Sequence, residues 1–98
     1  MDRVELLKKL NLSQFTAFDF ETTGLNAASD RIIEIAAIRF INGKPTDNYV
    51  KLIHPDRPIP PFITEITGIS NSMVMDAPRE EDIVDDFFDF LGNDPLLR

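Results

Sequence analysis

Asp19 and Glu21 are the residues whose types and spacing can do chemistry. Two carboxylates two positions apart on a strand point to the same side. Their Cα atoms are then about 6–7 Å apart, so both side chains can reach bound cations. Carboxylate oxygens suit Mg²⁺ or Mn²⁺, and two such ions roughly 3.5–4 Å apart can drive phosphodiester hydrolysis. An isolated Asp-x-Glu is most often a pair of solvated strand residues, so the chemistry depends on what surrounds it. Here the flanking residues are Phe18 and Phe20, followed by Thr22-Thr23-Gly24-Leu25. The phenylalanines alternate with the acids and would pack inward, which stiffens the strand. The string after the acids would line a turn in which a glycine backbone can approach a ligand closely.

The elements that must position these residues follow from periodicity. Residues 15–22 read as a strand of aromatics and threonines. Period-two alternation places Phe15, Ala17, Asp19 and Glu21 on one face and Thr16, Phe18, Phe20 and Thr22 on the other. Gly24 breaks it, and residues 26–30 are small and polar, hence a loop. Residues 31–41 form a second strand, apolar on both faces apart from Glu34, which predicts cover on both sides. Asn42-Gly43 signals a hairpin, with Lys44-Pro45 lengthening the loop, and residues 47–53 form an antiparallel third strand. Four prolines between residues 54 and 61 predict an irregular connection. Short helical turns are expected over 62–67, stopped by Gly68, and over 70–74. Residues 2–10 predict a short helix and residues 78–91 a longer one. In the longer helix Ile83, Val84, Phe87, Phe88 and Leu91 form the apolar stripe.

Composition limits the function classes. The chain has 98 residues and no cysteine, which excludes disulfide scaffolds, cysteine-ligated zinc and cysteine nucleophiles. Its only histidine, His54, excludes histidine-rich metal sites. No apolar run is long enough to span a membrane. The N-terminus lacks a signal-peptide pattern, and a cytoplasmic location is expected. The net charge of −7 is concentrated between residues 76 and 94, where eight acids meet Arg79 alone. The remainder is neutral. Bulk attraction to nucleic acid is therefore weak, whereas metal-borne positive charge is compatible with it. His54 is expected to have a structural or surface role, Glu34 to be an exposed or capped position, and the acids of the last helix to be a solvated face.

The whole string from Phe18 to Leu25 resembles the first motif of the DEDD-type 3′→5′ exonucleases, the DnaQ-like proofreading family, and in particular the exonuclease domains of PolC-type DNA polymerase III. Asp30-Arg31-Ile32-Ile33-Glu34-Ile35-Ala36-Ala37 resembles that family's second strand. Ile53-His54-Pro55 with Ile59-Pro60, and Ile66-Thr67-Gly68-Ile69-Ser70 with Ala77-Pro78, resemble its later segments, in the same order. The resemblance implies an α/β ribonuclease H-like fold, of which this chain is the N-terminal half: an antiparallel three-stranded sheet with flanking helices. It implies that residues 1–98 are a partial exonuclease domain, with the first motif present and the second and third beyond Arg98.

By that resemblance Asp19 bridges two divalent ions, Mg²⁺ or Mn²⁺, and Glu21 binds one and helps orient the attacking water. Thr22, Thr23, Gly24 and Leu25 line the 3′-terminal nucleotide, with Leu25 against its base. The implied activity is hydrolysis of DNA from a single-stranded 3′ end, beside a DNA polymerase subunit or domain, with the 98-residue chain alone inactive. Two alternatives stay open. One is an RNA-directed exonuclease of the same family, since no residue here reads a 2′-hydroxyl. The other is a non-catalytic association module. An exposed edge on the first strand predicts self-association.

Overall fold

The computed structural model describes residues 2–26 and 28–98. The elements run α1 (Arg3–Lys9), β1 (Gln14–Thr22), β2 (Ile32–Ile41), β3 (Lys44–Leu52), α2 (Pro61–Thr67), α3 (Asn71–Val74), α4 (Glu80–Leu91) and β4 (Leu96–Leu97). They form one sheet in the order β3-β2-β1-β4. Two antiparallel hairpin steps place β2 between β1 and β3, and β4 lies parallel to β1.

The sheet therefore has four strands rather than the expected three. The fourth is short, pairing Thr16 with Leu96 and Ala17 with Leu97. It is anchored by the Thr16 amide donating to the Pro95 carbonyl at 2.9 Å. Asp94, just before it, accepts from Gln14 Nε2 at 2.7 Å, Thr16 Oγ1 at 2.9 Å and Arg39 Nε at 2.9 Å. These contacts lie some 55 to 80 residues apart in sequence, so no local pattern announces them.

The β2–β3 turn forms as expected at Asn42 and Gly43, with φ of 52° and 81°. Two successive positive φ values match the twist of a two-residue hairpin. The chain turns back at once, so β3 begins at Lys44 and not near Asp47. Pro45 is accommodated because β3 is an edge strand.

The helices α2 to α4 contribute to two core clusters against the sheet. Ile35, Ala37, Tyr49, Ile53 and Ile83 form one core cluster, joined by Phe18, Phe20, Ile32, Phe87 and Phe90. Ile33, Ile59, Ile63, Ile69 and Val74 form a second beneath α2 and α3. On the opposite face Ile38 is 41% exposed and Val50 57% exposed. Cover on β2 is thus uneven: Ile33, Ile35 and Ala37 are buried, whereas Glu34, Ala36 and Phe40 are half-buried and Ile38 is exposed. The stripe of α4 is also rotated from the expected one. Ile83 and Leu91 are buried and Phe87 and Phe90 partly so, whereas Val84 and Phe88 are exposed.

Glu80, Glu81 and Asp82 occupy the first turn of α4, and Asp82 accepts the Arg79 amide at 3.1 Å. Negative charge is favoured there by the helix dipole. Tyr49 on β3 donates to Asp86 of α4 at 2.9 Å. Among the described residues no helix is long and apolar enough to cross a membrane.

Candidate active site

β1 holds the two acids through its neighbours. Phe18 and Phe20 turn into the core with ring centroids 5.2 Å apart, and Phe20 meets Phe87 edge-on at 6.1 Å. Their anchoring leaves Asp19 exposed and Glu21 half-buried on the opposite face of β1. Asp19 pairs with Ala36 across the ladder, and Ala17 precedes it on the same face, so small side chains surround it. Its Oδ1 accepts the Phe20 amide at 3.0 Å. Glu21 pairs with Glu34, placing two like charges directly opposite one another. Such a pair is unfavourable without a counter-charge. The ladder then shifts register between Glu21 and Thr22.

That irregularity turns the chain into a groove of about 810 Å³ whose walls include Glu21, Thr22, Gly24, Leu25, Asp30 and Ile66. The six candidate residues take three different places. Glu21, Thr22, Gly24 and Leu25 face the groove. Asp19 lies beside it on the open sheet face. Thr23 lies underneath, 1% exposed, and its side chain is already engaged. The Thr23 hydroxyl donates to Asp30 Oδ1 at 2.7 Å and accepts the Arg31 amide at 3.0 Å. Thr22 Oγ1 donates to the Gly24 carbonyl at 2.5 Å. Leu25 projects fully into solvent.

Gly24 is required by proximity. A Cβ there would sit 2.6 Å from Asp30 Oδ2, closer than any real contact. Asp30 Oδ2 also accepts the Asn26 amide at 2.8 Å. The hydrogen bond from Thr23, then that from Asn26, and the nearby Arg57 hold the Asp30 carboxyl below its ordinary range, against a smaller opposing effect of burial.

Sequence reading missed Asp30 and Arg57 as builders of this site. Arg57 Nη1 donates to the Ser29 carbonyl at 2.6 Å and stands 3.9 Å from Asp30. Asp30 was visible in the sequence only as the first residue of the segment that resembles the family's second strand. His54 behaves as expected of a structural residue: its Nδ1 accepts the Asp56 amide at 3.0 Å.

The donor set has the right chemistry for a hard divalent cation, since Asp19 and Glu21 offer only carboxylate oxygens. It is also incomplete. Among the described residues no three acidic or histidine side chains converge on one point. The two acids can therefore supply part of a ligand shell, with further ligands needed from elsewhere.

A family profile described as Exonuclease (RNase_T) matches residues 16–97. A DNA polymerase III PolC-type protein from Caldanaerobacter subterraneus is 46% identical over 77 residues, covering 79% of this chain and 6% of that protein. A DNA polymerase III subunit epsilon from Treponema pallidum is 48% identical over 83 residues, covering 85% of this chain and 39% of the subunit. The chain thus spans well under half the length of these relatives. Among solved structures, Exonuclease X in complex with 5′ overhanging duplex DNA superposes with a TM-score of 0.67 at 37% identity, covering 74% of this chain and 42% of that one. The mixed sheet with flanking helices is the ribonuclease H-like fold of those exonucleases. On its matched span, its sheet order and its first motif alike, the chain belongs to the exonuclease family.

Proposed function

We propose that this chain forms part of the exonuclease domain of a metal-dependent 3′→5′ exonuclease that hydrolyses DNA from its 3′ end, in the proofreading role beside a DNA polymerase. The observation that carries the proposal is the placement of Asp19 and Glu21 on the open face of β1, at the lip of a groove walled by Thr22, Gly24 and Leu25. DNA is favoured over RNA because the relatives named above are DNA polymerase III components and Exonuclease X bound to DNA.

In this reading Asp19 and Glu21 would hold the divalent ions, Mg²⁺ or Mn²⁺, and Glu21 would help orient the attacking water. Bound ions supply Lewis-acid polarisation of the scissile phosphate and a more acidic water. Leu25 packs on the terminal base, Thr22 and the Gly24 backbone flank its sugar and phosphate, and Thr23 supports them from below. Water adds to phosphorus, the bond to the 3′ oxygen of the penultimate nucleotide breaks, and a nucleoside 5′-monophosphate leaves. The remaining metal ligands and the general base come from outside residues 1–98, so this chain alone is inactive.

The test is Mn²⁺-dependent release of nucleoside monophosphate from a 3′-labelled single strand by the complete gene product. Asp19→Ala and Glu21→Gln should each abolish release without loss of fold. An Asp19→Ala protein that degrades the strand at the parental rate overturns the assignment, and the non-catalytic association module then takes its place.

A further inference from the structure

Leu25 is fully exposed, yet the loop that carries it is bonded at almost every turn. The Thr23 amide donates to the Arg31 carbonyl at 2.9 Å, and the Thr23 hydroxyl joins Asp30 to the Arg31 amide. The Asp30 amide donates to the Asn26 carbonyl at 2.7 Å while the Asp30 carboxylate accepts the Asn26 amide. Arg57 ties the far side of the loop to the proline-rich connection through Ser29. A side chain on Gly24 would run into the Asp30 carboxylate, so the backbone there passes close to it. One side chain, Asp30, thus meets Thr23, Gly24 and Asn26, the residues on either side of Leu25. Holding an apolar side chain out in water gains nothing for folding. A loop organised this tightly around such a residue makes physical sense if the residue meets a ligand.

We propose that Asp30 is a positioning residue of the exonuclease site, whose carboxylate shapes the turn at Gly24 and Leu25 so that Leu25 is presented ready-made to the base of the 3′-terminal nucleotide. The inference rests on the function proposed above and deepens it. Asp30 touches neither the reacting phosphate nor the metal-binding acids. Its contribution is preorganisation, which removes the entropy cost of ordering the loop on binding. It therefore acts on substrate affinity, and only where a terminal base is present to be contacted.

The experiment uses the complete gene product and two single strands that differ only at the 3′ end, one with an ordinary nucleotide and one with an abasic sugar. Asp30→Ala should raise KM for the ordinary strand roughly tenfold, the scale of one apolar contact, with kcat within about threefold. It should leave KM for the abasic strand unchanged. Combining it with Leu25→Ala should add nothing further, since both remove the same contact. Asp30→Asn, which keeps an acceptor for Thr23, should fall between Asp30→Ala and the parent.

All variants are assayed below the lowest melting midpoint of the set. If Asp30→Ala does not fold, Thr23→Ser and Thr23→Val decide the matter: only the valine, which removes the donor to Asp30, should raise KM for the ordinary strand. A folded Asp30→Ala protein with unchanged KM, or with equal increases on both strands, overturns the inference. An active Asp19→Ala protein overturns the site itself. Loss of activity in Asp19→Ala with no effect of Asp30→Ala overturns the positioning role alone.

Discussion

Removing the Asp94 carboxylate should be the most damaging single truncation outside the apolar core. Three donors converge on it, from Gln14, Thr16 and Arg39. The Gln14 contact is exposed and contributes little. Thr16 is wholly buried, and stripping its hydroxyl of a partner costs about 1–3 kcal/mol. The Arg39 side chain is 19% exposed and keeps other partners: Asp47 at 3.0 Å, the Phe90 carbonyl, and the Phe90 ring at 4.5 Å. Its loss is accordingly smaller, about 1 kcal/mol.

Asp94→Ala should therefore destabilise by roughly 2–4 kcal/mol. For a domain of this size that lowers Tm by roughly 10–25 °C. Asp94→Asn, which still offers Thr16 an acceptor, should lose about half as much. Burial by itself would raise the Asp94 carboxyl, but the hydrogen bonds from Arg39, Thr16 and Gln14 outweigh it and leave it lowered. A lowered carboxyl stabilises the fold above the ordinary carboxylate pKa of about 4, and that stability is lost as pH falls through the folded-state value. The gap between parent and Asp94→Ala should thus be complete at neutral pH and close below roughly pH 4. Thermal unfolding by circular dichroism across that range measures it, with Asp89→Ala on the solvated face of α4 as the control. A Tm change no larger than that of the control, or a gap independent of pH, would refute the reasoning.

Gly24→Ala should destabilise by about 1–3 kcal/mol in denaturant titration, because its Cβ would drive into a carboxylate held from two sides; an unchanged midpoint would show that Asp30 yields freely. Burial first, and then Asp86, push the Tyr49 phenol up to about 12. Its ultraviolet titration should be centred there, and Asp86→Asn should bring it part of the way back towards the ordinary value near 10. As a raised acid it should also cost stability above about pH 10, where the unfolded phenol ionises first. Beyond Ala17 the outer edge of β1 has no partner strand among the described residues. Sedimentation equilibrium of these 98 residues should show association that rises with concentration, and a monomer at all concentrations would contradict it.

The strands β1 and β2, the turn at Asn42 and Gly43 and the acidic face of α4 were legible in the sequence because each is set by local rules. Alternation places side chains on faces, positive φ favours Asn-Gly, and charge prefers one end of a helix. The placement of Asp19 and Glu21 on one face follows from the same period of two. What tertiary structure alone decided are relations between distant segments. β4 exists because Asp94 and Pro95 find Thr16. Val84 and Phe88 are exposed while Phe90 packs inward, since a helix with apolar residues over a wide arc can bury only the part its sheet touches. Thr23 looked like a residue for substrate and is instead buried against Asp30. The sequence by itself determined that Asp19 and Glu21 share one face of a strand, because their spacing is local. Only the folded chain decided which loop presents Leu25 and what holds that loop still, because those contacts depend on where Asp30 and Arg57 come to rest.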